Sequence, residues 1–229
     1  MVNMPPIGFL LPRDLGIDLI YSFVIIVCSL MIYRATKELY ELSSYKGIKY
    51  FRQAFLFFAI AYFFRYFIRF LLVFFNVREI SEFSPIFVGI LSLSGFLYSS
   101  SMAVFYLLYS VMWKKWNHSR TKIILFNTLA IAIALIGIFI NNMGIYLVLN
   151  LILLLFILFV LIIAYKDSKN KQKGKSLYII YLLLFVFWIL NVIDIMIPRF
   201  LEVYQLVIYL FSILLFMTVL YKVLKKSGS

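Results

Sequence analysis

Seven apolar stretches, each long enough to cross a lipid bilayer, alternate with short polar loops along this 229-residue chain. A membrane-crossing helix needs about 20 apolar residues. These stretches are continuous, whereas the strands of a membrane barrel alternate apolar and polar residues. The sequence therefore predicts an all-α integral membrane protein, a single-domain seven-transmembrane helix bundle. The predicted spans cover residues 15–33, 50–75, 86–113, 123–140, 144–165, 177–197 and 203–221.

The composition agrees with this class. Hydrophobic residues make up 65% of the chain and charged residues 14%, against roughly 45–50% and 25% in soluble domains. Because the spans and their short loops use nearly the whole length, we expect no soluble domain.

The basic residues predict the orientation of the bundle. Seventeen of them follow the odd-numbered spans or precede the even-numbered ones, and only three, Arg13, Arg78 and Arg199, lie at the other ends. Lysine and arginine favour the cytoplasmic side of a membrane. The N-terminus is therefore expected outside the cell and the C-terminus in the cytoplasm, with the protein in the cell membrane.

The formal charge of +13 is also explained by this bias, because the basic residues sit beside membrane edges, where they can contact anionic lipid headgroups. We expect no nucleic-acid partner. The lysine-rich segment 166–175 is expected to be a polar, mobile loop. It is the best candidate for docking a cytoplasmic protein, although an ordinary solvated loop would have the same composition.

Two arginines lie deep inside the second predicted span. A charge in the hydrocarbon costs about 2.5–3.5 kcal/mol on insertion scales, so Arg65 and Arg69 are the first candidates for function. Their spacing of four places both on one face of a helix, together with Tyr62. Their side chains lean toward the helix N-terminus, which works against reaching the outer surface.

We therefore expect these arginines to have partners inside the bundle. Asp18 opens the first span, and Asn191 and Asp194, three residues apart, lie near the outer end of the sixth. The hypothesis is a polar cavity that opens to the outside and is lined by Arg65, Arg69, Asp194, Asn191, Asp18 and Tyr62.

Three interpretations of this cavity remain open. It is a structural ion-pair cluster, a binding site in which Arg65 and Arg69 hold an anionic or zwitterionic ligand, or a proton or ion pathway through Asp194. A separate stripe of small residues in the third span predicts close helix packing. The stripe consists of Ser92, Gly95, Ser99 and Ala103.

The sequence argues against catalysis and against cofactors. The one histidine, His118, lies in a loop, and the one cysteine, Cys28, has no partner for a metal or redox site. No span contains a lysine that could hold retinal as a Schiff base. We expect a protein that is not an enzyme, with no cofactor and no metal.

The predicted function is a receptor-like or sensor-like membrane protein that binds a small anionic or lipid-like ligand. Its loops are short, so a signal would pass through a separate cytoplasmic protein or through self-association into a homo-oligomer. One alternative is a small transporter. Seven spans read as three, one and three resemble the topology of the SWEET sugar transporters, although their Pro-Gln motif is absent here. A non-catalytic membrane scaffold subunit is a third possibility.

Overall fold

The chain folds into α-helices throughout the part of it that the computed structural model describes, residues 15–67, 85–116, 120–140, 142–170, 175–197 and 202–227. Seven α-helices and one π-helical turn, Phe63–Phe67, lie within these ranges. The α-helices are α1 Leu15–Ser43, α2 Lys46–Tyr62, α3 Pro85–Met112, α4 Arg120–Ile140, α5 Met143–Asn170, α6 Lys175–Met196 and α7 Glu202–Ser227. The prediction of an all-α membrane protein is confirmed at this level.

Six of the helices, all except α2, are long and apolar enough to cross a membrane, as a multi-pass membrane protein requires. The α-helical part of α2 has 17 residues, fewer than the roughly 20 that a crossing needs. The π-turn continues this helix to Phe67, and the rest of the predicted span, 68–75, lies outside the described residues.

Three helices run well beyond the membrane spans predicted from the sequence, among them α7, which continues past Tyr221 to Ser227. Helix α1 continues past Tyr33 to Ser43. Helix α5 continues past Tyr165 to Asn170, so the expectation of a loop over 166–175 is wrong for residues 166–170. The end of an apolar run marks where a membrane ends, but a helix ends only where its backbone hydrogen bonds stop, and no Gly or Pro interrupts 166–170. Residues 171–174 lie outside the described part.

Helix α3 is the central element of the bundle. In the stretch of α3 that is long enough to cross a membrane, 61% of the residues are buried, against 17% in the corresponding stretch of α4. Helices α2, α4 and α5 all pack on α3, while α1 lies between α2 and α7, and α6 lies between α5 and α7. The short connection between α4 and α5 makes them neighbours, but α5 packs much more extensively on α6.

Aromatic rings from three helices fill the middle of the bundle. Phe58 of α2 and Phe187 of α6 are each 1% exposed, and both pack against Phe216 of α7. The Phe187 and Phe216 ring centroids are 4.5 Å apart. These contacts hold the second helix against the last two.

The two ends of the bundle differ in chemistry. Tyr62 near the end of α2 contacts Tyr21 near the start of α1, so these two helices run antiparallel. One end of the bundle, here named the basic end, carries the Lys and Arg residues at the end of α1, the start of α2 and the end of α3, including Lys37, Lys46 and Lys115. The buried charges lie near the opposite end.

Candidate functional site

Arg65 lies in the π-helical turn that follows α2. A π-turn is wider than an α-turn, is rare, and often occurs at functional sites. The carbonyl of Phe64 in this turn accepts a hydrogen bond from the Ser92 hydroxyl of α3. The Ser92 side chain thus supports the backbone that carries Arg65.

The Arg65 guanidinium connects α2 to α6. Its Nη2 donates to Oδ2 of Asp194 at 2.9 Å, and its Nη1 donates to Oδ1 of Asn191 at 2.9 Å. The Arg65 and Asp194 side chains are only 13% and 6% exposed. A planar guanidinium can address both partners at once because its donors form a rigid fork. The guanidinium carbon also lies 5.1 Å from the centroid of the Phe96 ring on α3.

Tyr62 and Asn191 extend the network one turn toward the middle of the bundle. The Tyr62 hydroxyl donates to Asn191 Oδ1 at 2.7 Å, and the Asn191 Nδ2 donates to the Phe187 carbonyl at 3.0 Å. Because the Tyr62 proton is used in this way, the Tyr21 hydroxyl, 3.2 Å distant, is the donor to Tyr62. The amide of Asn191 is therefore held in one orientation.

Tyrosines link this network to Asp18. The rings of Tyr21 and Tyr209 are stacked, with centroids 4.2 Å apart and an interplanar angle of 2°. The Tyr209 hydroxyl donates to Asp18 Oδ1 at 2.8 Å and accepts from Gln205 Nε2 at 2.8 Å. We name the whole set the Arg65 cluster, comprising Asp18, Tyr21, Tyr62, Arg65, Asn191, Asp194, Gln205 and Tyr209.

The structure brings together five of the six predicted site residues. Arg65, Tyr62, Asn191 and Asp194 are in direct contact, and Asp18 joins them through Tyr209. Arg69 lies outside the described residues. The sequence analysis missed Tyr21, Gln205, Tyr209 and Phe96, although Tyr21 follows Asp18 by three residues and Tyr209 follows Gln205 by four, spacings that share a helix face.

The residues predicted for helix packing lie along α3. Ser92, Ser99 and Ala103 are at most 1% exposed. A methyl group added at Gly95 would collide with the Phe64 ring, so α2 and α3 approach closely at the π-turn.

A small cavity borders the inner side of the Arg65 cluster. Its volume of about 10 Å³ is about enough for one water molecule. Polar lining groups come from Tyr62, Ser100, Asn150 and Asn191. Within the described ranges, no three His, Cys, Asp or Glu side chains come close enough together to hold a metal ion.

The groups of the Arg65 cluster can form hydrogen bonds and charge pairs. The cluster offers one guanidinium, two carboxylates, two amides and three tyrosine hydroxyls from four helices, nearly all engaged with one another. One carboxylate oxygen is an exception. Asp194 Oδ1 is buried and accepts no hydrogen bond from the described part of the chain.

Comparison with known proteins gives one informative match. No family model matches the chain, and no solved structure resembles it. A protein of Archaeoglobus fulgidus described as an uncharacterized protein is 30% identical over 234 residues, which cover 98% of this chain and 96% of that protein. Identity at this level over both whole chains shows common descent, and the chain therefore belongs to the same family as this archaeal protein.

Proposed function

We propose that the chain crosses the cell membrane seven times, with its N-terminus outside and its C-terminus in the cytoplasm. The basic end holds lysines and arginines from three successive helix ends, which supports a cytoplasmic location for that end. The seventh crossing would be α2 together with the π-turn and the residues that follow it. The Arg65 cluster then lies near the outer surface.

We propose further that the protein is a receptor-like or sensor-like protein without catalytic activity, which binds a small anionic, zwitterionic or lipid-like ligand at the Arg65 cluster. The observation that carries this proposal is the Arg65–Asp194 pair at 2.9 Å. Ionised side chains in a bilayer are costly. A pair that only fastened two helices could be replaced by apolar residues with little loss of stability, so its presence favours a polar binding role.

The cluster is placed to transmit a change. It joins α1, α2, α6 and α7, and a ligand that altered its contacts would shift these helices relative to one another. The helical extensions 34–43 and 166–170 lie at the basic end, where a cytoplasmic protein could dock. Self-association would serve the same purpose, and anionic lipids would contact the lysines around these extensions.

Thermal stability of the purified protein against a library of lipids and small anions tests the proposal. We expect at least one compound to raise the melting temperature of the wild type but not of Arg65→Gln/Arg69→Gln. The matched control is Arg34→Gln/Lys37→Gln at the basic end, which should respond like the wild type. If no compound stabilises the wild type, the ligand-binding proposal is wrong and the cluster is structural.

A small transporter is the second candidate, and the arrangement of helices supports it. In a plan of three, one and three helices, α4 would be the linker, and α4 is the least buried of the six membrane-length helices. Helices α2 and α6 would then occupy equivalent positions, and each contributes two polar residues three apart, Tyr62 with Arg65 and Asn191 with Asp194. Uptake of a stabilising compound by liposomes containing the protein would favour transport, and binding without uptake would favour a receptor.

A further inference from the structure

The second oxygen of Asp194 is the least explained polar atom of the Arg65 cluster. Oδ2 accepts from Arg65, but Oδ1 is buried and accepts no hydrogen bond from the described residues, on a side chain that is only 6% exposed. Gln205 lies near this carboxyl group; one N–H of its Nε2 donates to Tyr209, and the other does not reach Oδ1 with hydrogen-bond geometry.

An unsatisfied carboxylate oxygen is expensive in a low-dielectric environment, because its desolvation is not repaid. Hydrogen bonds to an ionised acceptor are about twice as strong as neutral ones. The group that complements Asp194 Oδ1 best is therefore a charged donor, an ammonium N–H.

The charge of the pair restricts the ligand further. Arg65 and Asp194 together are neutral, and a lone cation bound beside them would bring a net charge into the membrane edge. A ligand with both signs avoids this cost, because its anionic group is attracted to the guanidinium while its ammonium contacts the carboxylate.

We propose that the ligand is a zwitterion with a primary ammonium group, and that this ammonium donates a hydrogen bond to Asp194 Oδ1. This inference rests on the proposed function. The same chemistry occurs in free zwitterions and in aminophospholipid headgroups, and the test includes both sources.

The test compares pairs of probes that differ only in methylation of the nitrogen, which keeps the positive charge and removes every N–H donor. Glycine is compared with trimethylglycine, and glycerophosphoethanolamine with glycerophosphocholine. Nanodiscs of dioleoyl phosphatidylethanolamine are compared with nanodiscs of dioleoyl phosphatidylcholine. The full-length protein is used, and the melting temperature is followed against probe concentration.

We expect the ammonium member of at least one pair to stabilise the wild type, with the methylated member at least about tenfold weaker, as loss of a hydrogen bond to a charged group implies. A preference among the free compounds would identify a soluble ligand, and a preference in nanodiscs alone a lipid. Asp194→Asn should abolish the preference, while Asp167→Asn, an exposed carboxylate on the α5 extension, should retain it.

Equal stabilisation by both members of every pair would overturn the inference and leave the proposed function standing. The inference is also overturned, and the proposed function kept, if none of the probe pairs has an effect but another compound stabilises the wild type and not Arg65→Gln/Arg69→Gln. Absence of any stabilising compound would overturn both. If Asp194→Asn does not fold, the wild-type comparison of the methylated and unmethylated probes still decides, because it needs no variant.

Discussion

At Arg65 the Asp194 carboxylate and the Asn191 amide help to offset the cost of burial. Removing one partner of a buried ion pair leaves a charge that neither water nor protein solvates, which typically costs about 3–5 kcal/mol. We therefore expect Arg65→Gln or Asp194→Asn alone to lower the free energy of unfolding by about this amount, whereas the double variant recovers much of the loss. A double-mutant cycle in detergent, followed by chemical unfolding, measures the coupling.

The control for this cycle is the exposed pair Lys37–Glu41 on the α1 extension, whose side chains are 61% and 60% exposed at 3.7 Å. Because water solvates both charges, Lys37→Gln and Glu41→Gln should each cost less than about 1 kcal/mol, with little coupling. Additive losses at Arg65 and Asp194 would mean that the observed contact contributes no pairing energy.

Tyr62 allows stability to be separated from binding. Its hydroxyl makes two hydrogen bonds, to Asn191 and Tyr21, so Tyr62→Phe should cost about 1–3 kcal/mol and weaken the stabilisation by any compound that acts at the cluster. Tyr181→Phe is the matched control, because its buried hydroxyl is bonded to Ser110 at 2.7 Å near the basic end. It should also lose stability but keep the full response to the compound. Equal responses in the two variants would place the compound elsewhere.

At the scale of elements, the π-turn depends on its contact with α3. The Ser92 hydroxyl donates to the carbonyl of Phe64, and Gly95 leaves room for the Phe64 ring. Gly95→Ala should therefore destabilise the protein by about 1–3 kcal/mol, the usual cost of overpacking, in spite of the higher helix propensity of alanine.

Gly16 in α1 provides the contrast, because no atom of the described residues lies within 4 Å of an added methyl group there. Gly16→Ala should leave the melting temperature unchanged or raise it, since alanine favours the helix by roughly 1 kcal/mol. Thermal unfolding of the two variants side by side measures the difference. A neutral Gly95→Ala would show that the Phe64 ring moves aside at no cost.

The sequence predicts the helices well, because each long apolar run must satisfy its backbone hydrogen bonds internally in a membrane. It also places Arg65 and Asp194 at a similar depth from residue counts alone. It does not predict the helical extensions, since composition changes at the membrane edge while hydrogen bonding continues. The roles of Tyr21 and Tyr209 depend on how each helix rotates about its axis. Residues four apart, such as Arg65 and Arg69, share a face only in an unbroken α-helix. The π-turn interrupts the α-helix at Arg65.

At the scale of the whole molecule, the bundle is divided by chemistry more than by chain order. The Arg65 cluster draws on the first two helices and the last two, and the Phe58, Phe187 and Phe216 rings lie directly beneath it. Helix α4 contributes to neither. A movement that separated α1 and α2 from α6 and α7 would therefore open the cluster and disturb the aromatic core together, whether the result is a signal or the passage of a solute.

The receptor-like function requires the cluster to face the outside of the cell, which is the last prediction. In a Cys28→Ser background, Gly16→Cys lies at the start of α1 near the cluster, and Asp167→Cys lies on the exposed α5 extension at the basic end. A membrane-impermeant maleimide applied to intact cells should label the Gly16→Cys variant but not the Asp167→Cys variant. After permeabilisation it should label both variants. Because lysine and arginine favour the cytoplasmic side of a membrane, we expect the basic end there. Labelling of only Asp167→Cys on intact cells would reverse this orientation and with it the direction from which a ligand reaches Arg65.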